Sequence, residues 1–382
     1  MQTSRERILT THVGSLPRSK EVAELLLNRE NGETVDTAHF NTVLQQAVTD
    51  TVKSQVAAGV DIVSDGELSK IGYATYIKDR LSGFSGNKPR KPALDLQPYP
   101  EYMEKMALVA GKQSFKRQCC TGPIAVTTTA PLEADLVAFR NALKATPATD
   151  AFLNAASPGV VSAFQPNEYY ASHAAYLEAI ARAMQAEYEA IVNAGFVLQV
   201  DCPDLAMARH TGFQDLSEAE FLKQAEQQVE ALNAALVNIP SDRLRMHVCW
   251  GNYEGPHTHD IDLRKIMGIV LKAKPAAILF EASNPRHAHE WEVWKETKIP
   301  GDKILVPGVV DSTSNYVEHP ELVSQRIRQF ADIVGRDRVI AGTDCGFATF
   351  AGVGKVDSRI VWKKLATLTE GAALASRTLW SR

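Results

Sequence analysis

Residues 304–346 read ILVPGVVDSTSNYVEHPELVSQRIRQFADIVGRDRVIAGTDCG. A β-branched run, Ile304–Val310, leads into helical apolar spacing over Tyr316–Val334 and then into a second β-branched run, Val339–Gly342. Strand, helix and strand in that order predict two parallel strands joined by a right-handed crossover. Outward from this unit the pattern repeats. The further runs are Ile8–Val13, Val60–Ser64, Gln118–Val126, Val197–Val200, Leu244–Cys249 and Ala277–Phe280. Helical spacing lies between them, over Tyr169–Ala194, Glu218–Leu236 and, at the end, Ser358–Ser376; Ser217 and Glu220 form a capping box for the second of these. Eight such units in 382 residues predict a single α/β domain over residues 1–382, a (β/α)8 TIM barrel with extended loops after strands two and three. An open doubly wound sheet is the competing architecture. It would carry a Gly-rich first turn, and HVGSLPRS at residues 12–19 is not G-x-G-x-x-G.

Composition narrows the class. Hydrophobic residues at 45% and charged residues at 23% give an ordinary globular chain, which excludes a disordered or collagen-like one. The net charge of −4 argues against non-specific nucleic-acid binding, which needs excess Lys and Arg. No apolar run approaches the roughly 18 residues of a membrane span. The N-terminal MQTSRERILTTHVG lacks the apolar core of a secretory signal. Five cysteines are too few, and odd in number, for a disulfide framework. A reduced, cytoplasmic, soluble protein is expected, free of nucleic acid and membrane; self-association is left open.

A barrel of this kind concentrates its chemistry at the C-terminal ends of its strands. Reading those ends gives His12 and Ser15, Asp65 and Glu67, Thr127–Thr129, Asp201 and Cys202, His247 and Cys249, Glu281, Asp311, and Asp344 with Cys345. Among them, His12, Asp65, Glu67 and Asp311 are the candidates for catalytic roles. His247 and Cys249 stand two apart on one strand, so their side chains point to one side. Cys345 and Glu281 end two other strands, and the ends converge over the mouth. The donors N, S, S and O favour zinc over magnesium or calcium, and three firm ligands with a displaceable fourth make a catalytic arrangement. Such a centre suits holding an incoming thiol as the nucleophilic thiolate, hence S-alkylation or its reverse. The pairs His257/His259 and His287/His289 sit in loop or early-helix sequence and read as contacts around the site or as surface residues. Cys119 and Cys120 fall inside the third run and read as core.

The ordered segments TTHVGSLPR, DIVSDGE, GPIAV, QVDCPDL, HVCWG, ILFEAS, PGVVDSTS and GTDCGFAT resemble the catalytic C-terminal barrel of the cobalamin-independent methionine synthase family, over nearly the whole chain. The resemblance implies zinc on His247, Cys249 and Cys345 with Glu281 as the exchangeable ligand. It also implies that Ser15, Glu67 and Asp201 surround the amino-acid thiol; Glu67 and Asp201 suit a cationic amino group. The departures lie on the folate side. The family's G-V-x-D-x-H-S carries a histidine that protonates the folate leaving group, and here Thr313 stands in its place. The family's D-E-P reads Asp201-Cys202-Pro203, and the stretch after Pro123 lacks the expected tryptophan. These features lean toward short relatives, among them enzymes resembling epoxyalkane:coenzyme M transferase, in which a thiolate opens an epoxide. The expected activity is zinc-dependent methyl or alkyl transfer between a small-molecule thiol and an alkyl donor. Coenzyme M chemistry is the alternative, and a metal-free lyase or decarboxylase on the same barrel the second. Because Thr313 replaces the family's histidine, His12 is the preferred acid, ahead of Asp65 and His210.

Overall fold

The computed structural model describes residues 1–110 and 117–381. Ten strands are present among them: β1 Leu9–Thr10, β2 Ile62–Val63, β3 Phe84–Ser85, β4 Cys119–Cys120, β5 Asp150–Ala156, β6 Val197–Asp201, β7 Leu244–Val248, β8 Ala277–Glu281, β9 Ile304–Val310 and β10 Ile340–Thr343. Eight of them form one sheet in the order β1-β10-β9-β8-β7-β6-β5-β2, and every pairing in it is parallel. The ends meet through β1 and β2: Asp61 N donates to Thr10 O at 3.2 Å, and the Asp61 carboxylate accepts from Thr10 N at 2.9 Å and from Arg7 at 2.8 Å. This is the expected TIM-barrel architecture.

The third barrel strand is a correction. The run Gln118–Val126 supplies only β4, which pairs antiparallel with β3 outside the barrel. The strand between β2 and β6 is β5, Asp150–Ala156, with the sequence DAFLNAA. That sequence holds no β-branched residue and sits among alanine-rich helical segments, so propensity hides it; pairing on both sides makes it a strand all the same. The two loops expected after strands two and three are therefore one excursion, residues 64–149, which contains the hairpin and closes with the helix Ala130–Ala145. Thr127–Thr129 end no barrel strand: Thr127 Oγ1 donates to Arg80 O at 2.9 Å and Thr129 Oγ1 to Glu133 at 2.6 Å. Cys119 and Cys120 are buried, but as a strand of this two-stranded pair rather than in the barrel.

Helices form where the spacing predicts them, at His173–Asn193, Glu218–Ala235, Pro320–Val334 and Ser358–Trp380. Ser217 and Glu220 close their capping box. No helix of the described residues is long and apolar enough to cross a membrane.

The strand period of two divides the core. Met246 and Val248 of β7 join the large cluster beneath the helices, while Leu9, Ile62, Phe152, Val197, Leu279, Val306 and Ile340 fill the barrel axis. On β7 the axial position belongs to Arg245, which is 1% exposed. Its guanidinium lies 3.9 Å from the centre of the Phe152 ring and donates to Thr11 Oγ1 at 3.0 Å and His12 O at 2.8 Å. Two residues further on, His247 faces the same side, one layer nearer the mouth.

Candidate active site and metal centre

One cavity of about 400 Å³ opens over this end of the barrel. Ser15, Glu67, Asp201, His247, Cys249 and Cys345 line it, brought from five different strand ends. A ligand atom from each of His247, Cys249 and Cys345 lies within 4.8 Å of the other two. All three residues are buried. Neither ring nitrogen of His247 has a hydrogen-bond partner, and burial holds its pKa down to about 3, helped by Arg245. A buried imidazole with both nitrogens unpaired costs free energy unless something else binds it. Contact with Cys345, and then burial, push the Cys249 thiol well up. Two thiols beside an open imidazole lone pair fit a zinc ion, with these three as its ligands.

Glu281 stands differently from its expected place. It is not among the donors that lie within 4.8 Å of one another. Oε1 accepts from Trp250 N at 2.7 Å and Oε2 from Asn284 Nδ2 at 2.6 Å, and burial raises its pKa to about 7. Its charge still reaches Cys249, so it flanks the three donors.

Glu67 and Asp201 line the same cavity. Asp201 neighbours His247 across the β6–β7 ladder. Asn154 and Gln199, both buried, hold its carboxylate at 3.0 and 2.8 Å, and burial nevertheless raises its pKa to about 6. Burial raises Glu67 to about 7, with Asp201 adding to the effect against the pull of Lys70. Glu67 Oε2 has no hydrogen-bond partner. The residue also has φ 54°, a conformation that costs a non-glycine residue about 1–3 kcal/mol. Asp65 Oδ1 fixes that turn by accepting from Glu67 N at 2.9 Å; Asp65 shapes the site without lining it.

His12 is not at the pocket. Its Nε2 meets Gln55 Oε1 at 2.7 Å and its Nδ1 accepts from Gly14 N at 3.1 Å, and burial lowers its pKa to about 4. Both nitrogens are committed, so it is a structural histidine beneath the mouth. Asp311 is likewise occupied. It accepts from Thr313 N and Oγ1, both at 2.9 Å, and from Ser314 N at 3.0 Å. Burial raises its pKa, but these bonds outweigh that and leave it lowered. It organises the turn after β9 rather than facing a substrate. His210 belongs to a separate cluster with Tyr253, His257 and His287.

One wall of the cavity comes from a segment that carries no strand-end pattern. Residues 88–91, within the irregular stretch SGFSGNKPRKPALDLQ, bring Lys88, Arg90 and Lys91 to the cavity, with Tyr73, Phe164 and Phe350 as apolar neighbours. The Arg90 guanidinium sits 4.1 Å from the Phe164 ring centre. The signal was present as three cations in four residues, but nothing in a linear sequence says that an irregular loop folds back over the mouth.

Gly346 follows Cys345 where no side chain fits. A Cβ there would stand 1.9 Å from Ser15 Oγ. Gly346→Ala is expected to displace Ser15 and lower kcat/KM by about 10²-fold, as misplacements near 1 Å do, while metal content stays close to wild type. Steady-state kinetics beside metal analysis checks both halves.

With this geometry in view, the catalytic-domain model of the cobalamin-independent synthases matches residues 8–357. The chain belongs to that family. Among similar family members is the methionine synthase of Saccharolobus solfataricus, 26% identical over 389 residues, covering 97% of this chain and 95% of that protein. The methionine synthase of Sulfolobus acidocaldarius is 23% identical over 371 residues, covering 97% and 93%. The B12-independent methionine synthase of Shewanella sp. W3-18-1, solved in complex with selenomethionine, superposes with a TM-score of 0.75 at 18% identity, covering 98% of this chain and 100% of that one. That superposition places the fold among the family's barrels, and the curated relatives make this family member a methyltransferase-type enzyme.

Proposed function

We propose that this protein is a zinc-dependent methyl- or alkyltransferase that uses a small-molecule thiol as acceptor, working in the cytoplasm. The observation that carries the reading is the unpaired imidazole of His247 beside the thiols of Cys249 and Cys345, at the cavity surface shared with Ser15, Glu67 and Asp201. His247, Cys249 and Cys345 would hold zinc, with Glu281 as the flanking carboxylate. When bound, zinc supplies the charge that keeps a thiol deprotonated, and therefore nucleophilic, near neutral pH. The chain's own residues then orient the acceptor. Glu67 and Asp201 offer two carboxylates to a cationic amino group, and Ser15 offers a hydroxyl beside them. Tyr73, Phe164 and Phe350 give the cavity an apolar wall beside them. The selenomethionine bound by the Shewanella relative supports an amino-acid acceptor, since it combines an amino and a carboxylate group with a chalcogen ether.

Two carboxylates with raised pKa values set the pH dependence. They attract an ammonium group only when ionised, so kcat/KM for an amino-acid thiol should rise through pH 6–7, where Asp201 and Glu67 ionise. Glu67→Gln should remove the upper part of that rise. The sign for stability is opposite. Each folded-state pKa exceeds its unfolded value, so the folded state binds more protons and stability falls as pH rises from about 4 to about 7. Thermal melts of the metal-free protein across that range check this. A flat pH profile for both quantities would remove the two carboxylates from the acceptor site.

The deciding experiment incubates zinc-loaded enzyme with homocysteine, coenzyme M or glutathione, each with 5-methyltetrahydrofolate or an epoxide, and searches for thioether by mass spectrometry. Thioether from one thiol is the expected result. Its absence from every combination, together with no effect of thiols on the metal's coordination, would sink the reading.

A further inference from the structure

A second group of metal-competent side chains lies outside the centre described above. Asp95, His210 and Asp260 each present a donor atom within 4.8 Å of the other two. Asp95 comes from the excursion 64–149, His210 from the segment after β6 and Asp260 from the segment after β7. Asp95 is 1% exposed and His210 fully buried, and the Asp260 side chain is 6% exposed.

His210 Nδ1 has no hydrogen-bond partner. It points at Asp260 Oδ1 from 3.5 Å. Two donors each about 2.1 Å from one tetrahedral cation lie about 3.4 Å apart, so the gap has the width of a shared ion. The remaining atoms around the group are those that orient ligands. Tyr253 Oη meets His210 Nε2 at 3.3 Å and donates to Asp95 Oδ2, which leaves Nδ1 as the nitrogen facing inward. His259 N donates to Asp95 Oδ1 at 3.1 Å. His257 Nδ1 approaches both Asp260 oxygens, at 3.2 and 3.1 Å, and His287 Nε2 approaches Oδ2 at 3.2 Å, while Oδ1 also faces His210. His257 does this from a strained backbone, with φ 51°, and stacks on Tyr253 with ring centres 4.2 Å apart. Each inner donor is thus held by an outer partner, and one inner lone pair has nothing to bind.

We propose that Asp95, His210 and Asp260 form a second divalent-cation site, separate from the His247–Cys249–Cys345 centre. One imidazole and two carboxylates suit a borderline or hard first-row ion such as zinc, manganese or iron(II). The ion ties the excursion to the segments after β6 and β7 and so fixes the wall that carries Lys88–Lys91.

The test uses full-length protein stripped by chelator and titrated with Co²⁺, reading bound metal by mass spectrometry and thiolate-to-cobalt charge transfer by absorption. Wild type should bind two equivalents, only one of them with the charge-transfer band. Cys249→Ser/Cys345→Ser should keep one equivalent and lose the band. His210→Gln should keep one equivalent and the full band. Hydrogen exchange of residues 86–97 should slow as the band-free equivalent loads. A single, band-bearing equivalent in wild type overturns the proposal whatever the variants do, and so does full retention of two by His210→Gln. Should His210→Gln fail to fold, the band-free equivalent in the cysteine variant carries the decision, and its absence there overturns the proposal. Loss of the band-bearing equivalent alone would count against the catalytic centre and leave the second site standing.

Discussion

Cys345→Ser should abolish metal binding and thiol transfer together. Removing a partner that merely orients a metal ligand weakens affinity by about 10–100-fold, so losing a thiolate ligand itself should cost at least that much. A serine hydroxyl keeps the size but not the charge, and it does not deprotonate readily beside zinc. The buried imidazole of His247 would then share the ion with Cys249 alone. Glu281→Gln should behave differently. Its carboxylate is already bound by Trp250 N and Asn284 and flanks the three mutually close donors instead of joining them. Zinc content should stay close to wild type in that variant while turnover falls. Metal analysis and activity on the same preparations separate the two outcomes, and equal metal loss in both would contradict the flanking role.

The legible parts of the molecule were those written in local pattern. Seven barrel strands announced themselves as β-branched runs, and the spacing of His247 and Cys249 revealed a shared face because strand side chains alternate. The eighth strand, β5, was hidden because Asp150–Ala156 owes its conformation to the neighbours on both sides. His12 shows the converse error. Its position at a strand end suggested chemistry, yet Gln55 and Gly14 occupy both its nitrogens, and Gln55 lies 43 residues away on the helix Thr37–Ala57. Asp311 misled in the same way, since an aspartate at a strand end can serve the turn it starts as readily as a substrate. The cluster of Asp95, His210 and Asp260 was out of reach of any spacing rule. Its three members are more than a hundred and sixty residues apart end to end and meet only because the excursion folds back over the mouth.

Methyl transfer from 5-methyltetrahydrofolate to homocysteine should be slow or absent. A tetrahydrofolate nitrogen leaves well only when protonated, and the methionine synthases that this chain resembles place a histidine where Thr313 stands. Threonine titrates nowhere near neutrality, whereas histidine does. Nor is the Thr313 hydroxyl free to relay a proton, because it donates to Asp311 Oδ1 at 2.9 Å. His12, Asp65 and His210, the acids the sequence offers in its place, do not line the cavity. His12 is buried with both nitrogens bonded, and Asp311 holds its turn with a lowered pKa. Positioned general acids contribute about 10²–10⁴-fold, so the folate reaction should fall short of an unassisted donor by that range. A sulfonium methyl donor, which leaves as a neutral thioether and needs no proton, should therefore outrun methyl-folate with the same thiol. Competing the two donors in one reaction, with isotopically distinct methyl groups and mass spectrometry of the product, measures the ratio directly. A wild-type enzyme that made methionine briskly from the folate donor would overturn this argument, because some other group would then have to deliver the proton.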